Sequence, residues 1–134
     1  MSARRIAIAS IALVLSLMGA AGTANAATHD NGVCESGEMC LWYNSYYKGG
    51  VWDSYWSDAE YTSADVFHGT GGQINNNSAS VRNRDATHNT IHYQYYNWTG
   101  WAFLVLIAGD PQDRLTLPSE YKNQFSSFQF SAIG

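Results

Sequence analysis

One spacing occurs twice in this chain and limits what it can fold into. Trp42 is followed by Tyr47 and Gly49, and Tyr93 by Trp98 and Gly100, the two aromatic-x4-aromatic-x-glycine runs lying 51 residues apart. A serine trails each run: Ser80 within Ala79-Ser80-Val81, and Ser127 within Ser126-Ser127-Phe128, 47 residues apart. A repeat of this kind implies one supersecondary unit used twice. A hairpin that folds over its own sheet needs a glycine at positive φ, an aromatic ring beneath the fold and a hydroxyl to bond the bent backbone. Gly49 and Gly100 suit the first role, and Ser80 and Ser127 the last. Trp42 and Trp98 are expected to be buried.

Between these landmarks, Asn, Asp, Gly and Ser punctuate short runs of Trp, Tyr, Val, Ile and Phe, residues that fit a pleated surface. Strands are expected near 40–44, 51–56, 61–67, 78–83, 90–96, 101–107, 114–117 and 126–132. The apolar stretch 102–108 is too short for a buried helix and carries β-branched and aromatic residues. The expected class is all-β, two Greek-key motifs forming a sandwich of about eight strands. Its halves span about 34–85 and 86–134.

The first residues read as an address. Arg4 and Arg5 precede the apolar run 6–18, and Ala24-Asn25-Ala26 matches an A-x-A cleavage site. The run is too short to cross a bilayer. Residues 1–26 are therefore read as a signal peptide and 27–134 as one secreted domain. The whole chain has 7 Lys and Arg against 11 Asp and Glu, a net charge of −4, and two of its basic residues belong to the leader. Such a surface disfavours nucleic acid and anionic membrane. Cys34 and Cys40 read as a short-loop disulfide in an exported chain. A metal pair is the alternative, but a closed zinc site wants four ligands and the chain has no other cysteine. Closing this loop contributes about 2.4 kcal/mol on the chain-entropy model.

At the repeated signature the chain resembles the βγ-crystallin superfamily, a resemblance running from about Cys34 to the end. Two runs, Cys40-Leu41-Trp42-Tyr43-Asn44-Ser45 and Asn76-Asn77-Ser78-Ala79-Ser80-Val81-Arg82-Asn83-Arg84-Asp85, resemble the secreted peptidase-inhibitor family of the streptomycete metalloproteinase-inhibitor type. The resemblance implies a monomeric extracellular inhibitor that is not an enzyme, with a protease, expected to be a metalloprotease, as its partner. In that family a second cysteine pair opens the second half, where the inhibitory loop is thought to lie. Here Ala86-Thr87-His88-Asn89-Thr90 has no cysteine. The candidate inhibitory loop is Arg84, Asp85, Ala86, Thr87, His88 and Asn89, its order resting on packing and on Arg84 and Asp85 tying back to the body. His88 is its imidazole, able in principle to meet a catalytic zinc.

βγ-Crystallins often carry the calcium signature [Asn/Asp]-[Asn/Asp]-x-x-[Ser/Thr]-Ser. Asn75-Asn76-Asn77-Ser78-Ala79-Ser80 lacks the fifth-position hydroxyl, and Lys122-Asn123-Gln124-Phe125-Ser126-Ser127 opens on a lysine. Asn75, Asn76, Ser78, Asn123 and Ser126 therefore mark at most a weak calcium site, and turn-capping is favoured. No other cofactor is implied. His29, His68, His88 and His92 form no H-x-x-H pair, and no G-x-S-x-G elbow exists. Asp110 and Asp113 read as an exposed turn. Tyr43, Tyr46, Tyr95, Tyr96 and Trp101 are hard to bury together, and suit a protein or sugar contact face. The alternatives are thus a calcium-binding structural module, or a carbohydrate-binding or toxin-like module.

Overall fold

The computed structural model describes residues 29–133, so the leader read in residues 1–26 lies outside the described residues. Seven strands form: β1 (Met39–Asn44), β2 (Lys48–Ser54), β3 (Ser80–Asn83), β4 (His88–Tyr95), β5 (Thr99–Val105), β6 (Arg114–Thr116) and β7 (Ser127–Ala132). They make two antiparallel sheets, ordered β2-β1-β3-β6 and β5-β4-β7.

The halves exchange their third segments. Strand β6 comes from the second half yet pairs with β3 of the first. In return, Asp58 and Phe128 donate to each other's carbonyls at 2.9 Å, which lays the first half's third segment on β7. Each sheet is thus closed by the other half.

The strand expected over 61–67 does not form, which leaves seven strands instead of eight. Asp58 Oδ1 accepts the Glu60 amide, and Asp65 Oδ2 accepts both the Thr62 amide and its hydroxyl. These local bonds compete with a ladder. Tyr61 and Phe67 still turn inward and are 1% exposed.

The core lies between the sheets. Met39, Leu41, Trp52, Tyr61, Phe67, Val81, Phe125 and Phe128 are buried there, with the Trp52 ring 5.5 Å from Tyr61 and 6.0 Å from Phe128. His92 is also fully buried, stacked on Phe125 at 4.8 Å and Phe128 at 5.7 Å.

The repeated signature builds two matching folded hairpins. Gly49 and Gly100 have φ of +78° and +84°, and a Cβ on Gly100 would meet Gln94 Cβ and Tyr95 Cδ2 at 2.9 Å. Ser80 Oγ donates to the Asn44 carbonyl at 2.7 Å and accepts the Tyr47 amide at 3.0 Å. Ser127 Oγ donates to the Tyr95 carbonyl at 2.6 Å and accepts the Trp98 amide at 3.2 Å. The signature aromatics are not deeply buried as expected: Trp42 is half-buried and Trp98 is 42% exposed. Tyr46, Tyr47, Asn97 and Trp98 all take left-handed φ near 60°. That turn lifts the second aromatic out over the sheet. Trp42 then packs edge-on against Tyr47 at 5.4 Å, and the Trp98 indole N–H donates to the Phe128 carbonyl.

Candidate functional site

The loop between the halves is held at both ends by its own sequence. Its entry residue, Asn83, is fully buried. Asn83 Oδ1 accepts the Asp85 amide at 2.9 Å, while Nδ2 donates to the carbonyls of His88 and Leu106. The Ala108 amide bonds the Asp85 carbonyl at 2.8 Å. One amide side chain thus bridges the loop's start, its end and the neighbouring 106–113 connection.

Arg84 ties the loop to the disulfide. Cys34 and Cys40 are bonded, with Cα atoms 5.9 Å apart. Within the ring they close, the Gly37 amide donates to the Arg84 carbonyl at 2.9 Å, and the Arg84 amide donates to the Glu38 carbonyl at 2.7 Å. Arg84 Nη1 donates to the Cys34 carbonyl at 2.6 Å.

Asp85 organises the tip. Its Oδ1 accepts the amides of Thr87 and His88 and the Thr87 hydroxyl, at 2.7, 2.9 and 2.9 Å. Burial alone would raise the Asp85 carboxyl, but these bonds outweigh it and hold the group below the usual carboxylate range. Because the Thr87 hydroxyl gives its proton to Asp85, it is left to accept from His88 Nδ1, 2.8 Å away. The neutral imidazole then carries its proton on Nδ1 and a lone pair on Nε2. Ala86 and Thr87 are exposed, while Asn89 is half-buried at the start of β4.

The calcium-signature residues fall in two interlocked turns. The Asn76 amide bonds the Phe125 carbonyl at 2.9 Å, and the Asn123 amide bonds the Ser78 carbonyl at 2.8 Å. Asn76 and Asn123 both adopt left-handed φ. Ser126 Oγ donates to Asn76 Oδ1, whereas the matching position in the other turn is Ala79. Asn75 Oδ1 and Ser78 Oγ are buried without hydrogen-bond partners. Neither turn, 75–80 or 122–127, carries an Asp or Glu, and the Lys122 ammonium bonds Ser45 Oγ in the adjoining cavity. The side chains of the two turns thus offer only neutral oxygens, a weak set for an ion that favours carboxylates.

The other signals separate. Asp113 is not exposed as expected: it is 2% exposed and caps the 109–113 turn by accepting the Gly109 amide and Arg114 Nε. Tyr43, Tyr46, Tyr95 and Tyr96 are 46%, 72%, 58% and 42% exposed. Trp101 does not join them, since it packs on Tyr121 and Phe125 at the core's edge. The left-handed turn at Tyr46 and Asn97 has no signal common to both copies, because asparagine adopts this conformation more readily than most residues while tyrosine seldom does.

The family model for peptidase inhibitor family I36 matches residues 27–105. Three solved structures illustrate the fold likeness. One, described under the evolution of the eye-lens βγ-crystallin domain fold, is 15% identical, with a TM-score of 0.58 over 76% of this chain and 93% of that one. A βγ-crystallin domain from Flavobacterium johnsoniae is 19% identical, with a TM-score of 0.55 over 72% and 96%. The N-terminal domain of protein S is 18% identical, with a TM-score of 0.54 over 72% and 97%. At these identities the likeness establishes a βγ-crystallin fold. No curated protein matches the chain.

Proposed function

This chain belongs to peptidase inhibitor family I36, and from that membership we propose that it is a secreted, monomeric inhibitor of an extracellular metalloprotease that acts through residues 84–89. Family membership makes it a peptidase inhibitor rather than an enzyme. The family match starts at residue 27, next to the A-x-A site, which supports a mature protein beginning there.

The observation that carries the site is the clamp on both ends of the loop. An inhibitor gains affinity when its contact segment is already in the bound shape, since each immobilised side chain otherwise costs about 0.5–1.5 kcal/mol. Arg84 and Asp85 supply by hydrogen bonds an order that a second disulfide would supply covalently. His88 stands at the end of the tip in the tautomer that leaves Nε2 free to ligate a protease's zinc.

Titration of the secreted protein against a thermolysin-like zinc protease tests the reading. Inhibition is expected, weaker than a loop clamped by a second disulfide would give, lost when 84–89 is replaced by Gly-Ser and weakened at least tenfold by His88→Ala. Inhibition untouched by the replacement would move the site elsewhere. Inhibition of serine but not zinc proteases would overturn the target class.

A further inference from the structure

The strap that leads into the disulfide carries polar groups that the inhibitory loop does not use. Asp30 Oδ1 lies 2.7 Å from His68 Nε2. Asp53 joins them, and one donor atom from each residue lies within 4.8 Å of the others. The three come from distant places: the strap, the end of β2 and the segment after Phe67. The strap is pinned there. The Asp30 amide donates to the Asp53 carbonyl, and the Gly32 and Asn31 amides donate to Asp53 Oδ1 and Oδ2 at 2.8 and 3.0 Å. A Cβ on Gly32 would stand 2.9 Å from His68 Cβ, so the backbone is pressed against the histidine.

A further buried carboxyl lies beside Asp53. Glu38 and Asp53 are both 0% exposed, and burial together with the Asp53 charge raises the Glu38 carboxyl. Glu38 Oε2 accepts the Glu35 amide, but Oε1 has no partner. Among the described residues no Lys or Arg makes an ion pair with Asp30, Glu38 or Asp53. Asp30 and Asp53 thus face one imidazole and no other cationic side chain among the described residues.

We propose that Asp30, Asp53 and His68 form a binding site for a borderline divalent transition-metal ion, best matched by zinc(II). One imidazole nitrogen and two carboxylate oxygens, with a water as fourth ligand, satisfy a tetrahedral zinc ion. The imidazole argues against calcium and magnesium, which take oxygen. Zinc bonds of about 2.0–2.2 Å set tetrahedral ligands roughly 3.3–3.6 Å apart. The Asp30–His68 contact must therefore open by less than about 1 Å. Both side chains can do so, being 33% and 39% exposed. A bound ion would fasten the strap to β2 beside the ring that braces Arg84. This site is independent of the protease reading, since it is measured without any protease.

The test uses untagged secreted protein, freed of metal by chelator and titrated with zinc chloride by calorimetry and by melting. One zinc per chain is expected, raising the melting temperature by about 5 °C or more at saturation. His68→Gln and Asp30→Asn should each weaken binding at least tenfold while keeping the metal-free melting temperature. Cobalt(II) should give the visible absorption of a tetrahedral site, absent in His68→Gln. No zinc binding would overturn the proposal. So would binding unchanged in both variants, or an equal stabilisation by calcium.

Discussion

Arg84 donates from its guanidinium to the carbonyl of Cys34 at 2.6 Å, fifty positions away in the chain. The lone disulfide of the first half therefore braces the loop that opens the second. Two main-chain bonds, Gly37 to Arg84 and Arg84 to Glu38, run in parallel with it.

Replacing both Cys34 and Cys40 by alanine should cost about 2–3 kcal/mol. It should also speed amide hydrogen exchange across 84–89 as well as across 34–40. Faster exchange confined to 29–40 would show that the loop stands without the ring.

Gly100→Val should destabilise by more than about 2 kcal/mol, whereas Gln112→Val, on an exposed turn, should stay within about 0.5 kcal/mol. Valine at φ +84° is strained, and its Cβ meets Gln94 and Tyr95 at 2.9 Å. Equal melting temperatures for the two variants would refute the role given to the folded hairpin.

His92 should make the protein acid-sensitive above the range where its carboxylates titrate. Burial pushes its imidazole down to about 3. The unfolded chain takes up this proton below about 6.5 while the folded chain does not. The stabilisation is therefore complete above pH 6.5 and is lost as pH falls toward 3. Glu38 acts in the opposite sense. Burial, opposed by the Glu35 amide and reinforced by Asp53, pushes its carboxyl up to about 8, so its contribution is lost as pH rises from about 4.5. The two overlap, so the His92 part is read as a difference. His92→Phe should gain on the parent protein by a few kcal/mol between pH 7 and pH 4 in chemical denaturation. A constant difference across that range would mean that the folded protein takes up the His92 proton as readily as the unfolded chain does.

Calcium should raise the melting temperature by less than about 2 °C. Ala79 offers no hydroxyl, and Lys122 brings an ammonium to the paired turn. A shift near 10 °C, reversed by chelator, would show that backbone carbonyls complete a site there.

Much of the scaffold was legible because its instructions are local. Gly49 and Gly100 announce positive φ by lacking a Cβ, and Ser80 and Ser127 announce a bent backbone by supplying a hydroxyl at a fixed distance along the chain. Short runs of strand-forming residues bounded by Asn, Asp, Gly and Ser put β1 and β3 within a residue or two of where they lie. The 61–67 segment was misread because its aromatics look like a strand, while Asp58 and Asp65 bond their own neighbours. Trp98 was misplaced for a related reason. Its hydrophobicity speaks for burial, but the left-handed turn at Asn97 carries it outward.

By itself, then, the sequence determined the repeat, the turn glycines and their serines, and the family likeness that points to peptidase inhibition. Each is a property of residue type at short spacing, where sterics and one hydrogen bond decide the outcome. Tertiary structure alone decided that β6 and the Asp58 segment change sheets, that Arg84 reaches the Cys34 ring, and that Asp30, Asp53 and His68 meet. Those contacts join residues far apart in the chain. They exist only once the two sheets close on Trp52 and Phe128 and bring the half-chains together.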